Sequence, residues 1–115
     1  MATATCYAMT LALRDEVGVI ERYKREHLAV WPAVIKGLRE LGVTKERIFL
    51  KGNRLFLYLE AGSSFDPADL GRLNQDPECQ RWDTLMQTLQ EPVKEASAGE
   101  WWTGMELVFD LEWFH

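Results

Sequence analysis

The stretch Arg47–Glu60, RIFLKGNRLFLYLE, decides the fold. Two apolar runs, Arg47–Leu50 and Arg54–Glu60, flank the dipeptide Gly52-Asn53. Such a pair can take the positive φ values of a tight hairpin, so the stretch reads as two antiparallel strands joined by a short turn. Upstream, residues from about Ala4 to Leu13 alternate and carry Thr, Tyr and Leu, which predicts a first strand. Between them lies a helical stretch opened by Asp15 and Glu16, acids that suit a first turn. Val17, Ile20, Leu28, Ile35, Leu38 and Leu41 give it an intermittent apolar stripe, and Gly42 is a natural stop. Pro32 sits inside it and either kinks the helix or starts a second one after Trp31.

Downstream of the hairpin, Ala61–Phe65 reads as a loop. Asp66-Pro67 is an N-cap and first position for a short helix, and Asp76-Pro77 repeats that signal for a longer one. Cys79, Trp82, Met86 and Leu89 share a face of the longer helix, which Pro92 closes. Ser97-Ala98-Gly99 is a loop, and Trp102–Leu111 is predicted as the last strand. The resulting order, β-α-β-β-α-β with an extra short helix, is the ferredoxin-like pattern: an α+β fold with an antiparallel sheet and its helices on one face. A four-stranded sheet of this kind leaves its other face bare, so a homodimer that covers it is expected.

At 115 residues the chain is one domain, residues 1–115, and 47% hydrophobic content is enough for a core without staples. A net charge of -5 argues against nucleic acid and anionic membranes as partners, which call for basic patches. No apolar run reaches the length of a membrane span, and the N-terminus lacks the positive leader of a signal peptide, so a cytoplasmic location is expected. Cys6 and Cys79 lie far apart, with no metal-ligand spacing, and both read as small buried hydrophobes. No metal or cofactor is expected. The five tryptophans are too many for so small a domain to bury, which suggests a ligand pocket, a subunit interface or both.

Three groups of residues could carry chemistry. Tyr23, His27 and Trp31 are spaced by four and stack along one helical face, a plausible sugar-binding surface with a titratable imidazole. The alternative is a solvated histidine beside the charged run Glu21–Glu26. Trp82 and Asp83 are the second group: spacing alone gives a core tryptophan and a solvated acid at the border of its face. Trp101 and Trp102 are the third, and as strand neighbours they point to opposite faces.

Four segments in order bear a family resemblance. YKREHLAVWPAV (residues 23–34) resembles the first-helix signature of the L-rhamnose mutarotase family, and IFLKGNRLFLYLE is similar to its hairpin. DPECQRWDTLM resembles its third-helix signature, and MELVFDLEW its C-terminal strand. The resemblance implies a dimeric α/β barrel of two ferredoxin-like units, and a cofactor-free isomerase that turns one pyranose anomer into the other. It puts the active-site histidine on His27 and its companion tyrosine on Tyr23. Substrate contacts are then expected from Trp82, Asp83, Trp31, Arg54 and Trp102. Asp83 stands where rhamnose-type members usually carry a second tryptophan. Glu46 replaces a tyrosine before the second strand, and Asp110 a histidine of the last strand. GNRLF, the acid after Trp82 and GEWWTGME are closer to the L-fucose-type members.

Anomer exchange needs one proton taken from the anomeric hydroxyl and one delivered to the ring oxygen, so one acid and one base suffice. A histidine titrating near neutrality can serve in either direction, and Tyr23 could orient it or act as its partner. Indoles could cover the methyl group and apolar face of a 6-deoxy sugar. The competing readings are a cofactor-free monooxygenase of similar architecture and a non-catalytic binding module whose aromatics only build a dimer.

Overall fold

The computed structural model describes residues 5–114. Ala4, taken as the start of the first strand, and His115 lie outside the described residues. The chain runs β1 (Thr5–Leu13), α1 (Val19–His27), α2 (Pro32–Glu40), β2 (Val43–Lys51) and β3 (Arg54–Ala61). A 3-10 helix (Pro67–Gln75), α3 (Pro77–Gln87), the short strands β4 (Gln90–Glu91) and β5 (Thr103–Gly104) and a 3-10 turn (Leu111–Trp113) complete it.

The hairpin forms as its sequence dictates. Gly52 takes a φ of +60°, and Lys51 pairs with Arg54. β1 lies beside β3 with Leu11 opposite Leu55 and Tyr7 opposite Leu59, giving the antiparallel order β2-β3-β1-β4. Because side chains alternate along a strand, the register sends Leu55, Leu57 and Leu59 toward the helices, together with Met9, Leu11 and Leu13 of β1. The core sits between this sheet face and the helix layer, where Tyr23, Val34, Trp82 and Met86 pack against it.

Of the two outcomes expected at Pro32, a kink or a second helix, the structure shows the second helix. Trp31 is extended (φ −61°, ψ 137°) and Pro32 opens α2. Clash with the proline ring drives the preceding residue out of the helical region. The 3-10 helix carries the anticipated cap, with the Asp66 side chain accepting from Ala68 N and Asp69 accepting from Asp66 N.

Three expectations need correction. The last strand does not extend over Trp102–Leu111: only Thr103–Gly104 pairs with β1, and after a bond from Met105 N to Ala8 O the chain runs on exposed. Leu107, Val108, Phe109 and Leu111 are apolar on both sides of this run, and no one face within the chain can cover them all. Gln90–Glu91, read as the end of the helix that Pro92 closes, instead pairs with Ala12 and Leu13 of β1, because α3 stops at Gln87. Cys6 is exposed, whereas Cys79 is buried. The strand register explains it: Cys6 lies opposite Glu60 on the sheet face that carries no helices.

Candidate functional site

The site begins with the last turns of α1. Tyr23 and His27 are one turn apart, and their rings lie 4.1 Å apart at 32°. His27 Nδ1 is 2.8 Å from the Tyr23 backbone oxygen. A carbonyl oxygen can only accept, so Nδ1 carries the proton and donates it. In the neutral ring Nε2 then holds the free lone pair. α3 brings Trp82 edge-on to the imidazole, with ring centroids 5.5 Å apart at 70°. Trp31 stacks edge-on against Trp82 at 5.2 Å, which braces the indole from the far side.

Tyr23, His27 and Trp82 wall a groove of about 750 Å³ between α1, α2 and the β2–β3 hairpin. A smaller space of about 190 Å³ continues from it toward α3. Tyr23, His27, Glu46 and Trp82 line both. The smaller space adds Asp83, Gln90, Trp102 and Asn74.

Burial tunes the titratable groups. It lowers the His27 pKa below 6.5, against the opposing pull of the Tyr23 carbonyl and the nearby Glu26 carboxylate. It pushes Tyr23 up to about 12, with the Gln90 side chain working the other way and the Glu46 charge adding to the rise. Tyr23 is therefore a neutral phenol at any physiological pH, a hydrogen-bond donor and not a base. Glu46 is exposed in the single chain, yet the protein walls beside its carboxyl raise it above the usual carboxylate range.

His27, Tyr23, Trp82, Asp83 and Trp102 thus meet at one place, and Trp31 supports it. Asp83 is half-buried, with Oδ2 accepting from Gln87 Nε2 at 2.8 Å. Arg54 stands apart: it lies opposite Ala12 on the sheet face away from the helices and pairs with Glu95 at 3.5 Å. Asp110 is also elsewhere, capping the final 3-10 turn through Glu112 N. Two polar groups escaped the reading of candidate groups by spacing. Gln90 is buried and accepts from Trp101 Nε1 at 2.9 Å. Glu46 faces inward by hairpin parity, opposite Leu59. Among the described residues no three His, Cys, Asp or Glu side chains cluster to hold a metal ion, and no helix is long and apolar enough to cross a membrane.

Residues 6–111 match the family model described as L-rhamnose mutarotase. The chain belongs to the L-rhamnose mutarotase family. It is accordingly an isomerase, a sugar mutarotase, rather than a non-catalytic module. An L-fucose mutarotase of Xanthomonas campestris pv. campestris is 34% identical over 109 residues, covering 92% of this chain and 86% of the relative. A UPF0734 protein of Dictyostelium discoideum is 41% identical over 113 residues, covering 94% of this chain and 90% of the relative. The crystal structure of an L-rhamnose mutarotase from Formosa agariphila superposes with a TM-score of 0.69 at 23% identity, over 93% of this chain and 98% of that one. The ferredoxin-like architecture is therefore shared across the family's L-rhamnose mutarotase fold.

Proposed function

We propose that this mutarotase interconverts the α and β anomers of a 6-deoxy-L-hexose, L-fucose in preference to L-rhamnose, with His27 as proton shuttle. The observation that carries the reading is the imidazole: its Nδ1–H is held by the Tyr23 carbonyl, and no other described residue hydrogen-bonds the ring. Nε2 is left for substrate at a groove that the Trp82 indole walls. A base must be unprotonated to accept the anomeric proton, and burial favours the neutral ring. The Tyr23 phenol, neutral throughout, donates a hydrogen bond to the sugar and orients it. Trp82, braced by Trp31, offers an apolar wall to the C–H face and methyl group of the sugar. Trp102 and Asp83 close the inner end, where Asp83 meets a ring hydroxyl. The similarity to an L-fucose mutarotase supports the sugar preference.

The test is saturation-transfer NMR of anomer exchange on L-fucose, L-rhamnose and their D-counterparts. Exchange accelerated for the L-sugars, fastest for L-fucose, is the expected result. No acceleration for any of them overturns the proposal.

We infer further that the enzyme works as a cytoplasmic homodimer. The radius of gyration is 14.9 Å, against roughly 13 Å for a compact chain of this length. The exposed apolar run through Leu107, Val108 and Phe109 flanks a space of about 890 Å³ along the helix-free side of the sheet. A second copy of the chain would fill that space and bury the run.

A further inference from the structure

We propose that Glu46 is the second proton-transfer group of this site, acting on the sugar opposite His27. This deepens the reading of the chain as an anomer-exchanging enzyme and rests on it. The argument starts from strand parity. In the β2–β3 register Leu50 lies opposite Leu55, Ile48 opposite Leu57 and Glu46 opposite Leu59. Paired residues share a face, so Glu46 stands on the helix side of the sheet in a row otherwise made of Ile48 and Leu50. Its neighbours in the strand, Lys45 and Arg47, fall on the other side, where Lys45 pairs with Glu60. The sheet therefore presents a single carboxylate to the space into which α1 presents His27 and Tyr23.

Among the described residues Glu46 is the one carboxylate that lines both the groove and its inner continuation, as His27 does. The titratable groups that share these spaces with it are Tyr23, Lys24 and His27 from α1 and Cys79 and Asp83 from α3, while α2 contributes only apolar side chains. Asp83 lines only the inner space and accepts from Gln87. Tyr23, raised to about 12, is too weak an acid to exchange protons readily near neutrality. The shifts of His27 and Glu46 bring an imidazole and a carboxyl closer together in pKa, which suits two groups that trade protons in either direction.

The step balances with one proton held between the two groups. Neutral His27 takes the proton from the anomeric hydroxyl, the C1–O1 bond becomes a carbonyl, and the C1–O5 bonding pair leaves with O5. Protonated Glu46 gives its proton to O5. The aldehyde end rotates, and O5 attacks the other face of C1. The proton on O5 returns to the Glu46 carboxylate, while imidazolium His27 reprotonates O1. Both groups end as they began, and nothing is oxidised or reduced.

An inward charge on an edge strand has another use, which is to discourage edge-to-edge association. The experiment separates the two. Anomer exchange of L-fucose and L-rhamnose is measured by saturation-transfer NMR from pH 4.5 to 9 on the full chain and on its Glu46→Gln and Glu46→Asp variants, with melting curves for each. A bell-shaped profile is expected for the parent, because a pair sharing one proton fails when both groups are protonated and when neither is. Glu46→Gln should melt like the parent, lose about a hundredfold or more in rate and lose one limb of the bell. Glu46→Asp should keep both limbs at a reduced rate. Glu46→Gln exchanging within a few-fold of the parent, with both limbs intact, overturns the proposal while the enzyme reading survives. If Glu46→Gln fails to fold, Glu46→Asp decides: the loss of a limb there overturns it. A parent chain that accelerates no exchange overturns both.

Discussion

The indole N–H of Trp101 donates to Oε1 of Gln90 at 2.9 Å, and this one bond fixes which end of the Gln90 amide meets the site. With that oxygen turned to Trp101, the buried Gln90 offers its NH₂ donor to Tyr23, whose ionised form it favours. Trp101→Phe keeps most of the packing but removes the donor. A buried carbonyl oxygen then lacks a partner, at about 1–3 kcal/mol. The expected result is a lower melting temperature and a fall in kcat larger than any change in KM. A variant that matches the parent in both would place Trp101 outside the support of the site.

His27 is open to direct removal. General acid–base groups contribute about a hundredfold to ten-thousandfold in rate. His27→Ala should lose that much while folding normally, and a rate within a few-fold of the parent would take His27 out of the mechanism. The sign of the acid limb follows from burial. His27 has a pKa below 6.5 in the fold, so the neutral ring is fully present above 6.5 and activity falls as pH drops through the lowered value. Stability moves the same way, because the unfolded chain binds this proton more readily. Melting temperatures of parent and His27→Ala should therefore converge or cross as pH falls from 7 to 5.

Leu59 is 0% exposed and lies between Tyr7 and Glu46 in the sheet. Leu59→Ala leaves a cavity there and should cost about 2–5 kcal/mol by chemical denaturation. It should also reduce activity by loosening Glu46. A cost below 1 kcal/mol would mean that the sheet collapses readily at this point.

Assembly is tested at the C-terminal run. Light scattering at micromolar concentration should give twice the chain mass. Phe109→Asp together with Val108→Asp should shift the parent toward monomer, because both side chains are exposed in the single chain. A parent that stays monomeric at that concentration counts against the homodimer and leaves the fold untouched.

Much of this site was legible in the chain because its parts are local. Tyr23 and His27 are linked by helical spacing, and Trp82 by its place on the apolar face of α3. Gly52 set the hairpin, whose pairing makes Glu46 a partner of Leu59, so parity alone could have turned that carboxylate inward. Gln90 gave no such signal. Its role depends on Trp101 eleven residues later and on Tyr23 in another element, contacts that only the packed fold creates. The C-terminal run misled for a related reason. Its apolar residues satisfy a strand pattern, yet only Thr103–Gly104 finds an edge within the chain. Arg54 misled through parity, since its even position in β3 points it away from the helices.

Asp83 bears on sugar choice. L-Rhamnose carries an axial 2-hydroxyl and L-fucose an axial 4-hydroxyl, so a group at one side of the ring can tell them apart. Asp83 lines the inner space beside Trp82, with Oδ2 held by Gln87 and Oδ1 without a described protein partner. A carboxylate that meets a correctly placed hydroxyl is satisfied, whereas one facing an absent or misplaced hydroxyl is left desolvated and unpaired, which is costly. A tryptophan at this position would offer a flat apolar wall with no such demand. Asp83→Asn keeps the shape and removes the charge, and Asp83→Trp replaces the acceptors with an indole. Both should lower exchange of L-fucose more than exchange of L-rhamnose, with Asp83→Trp moving the ratio further. A Gln87→Leu control separates the two oxygens: it frees Oδ2 but leaves the carboxylate in place, so the preference for L-fucose should persist. Equal effects of the Asp83 variants on the two sugars, or none, would remove Asp83 from the choice of sugar and leave the discrimination to Glu46 and the indoles around it.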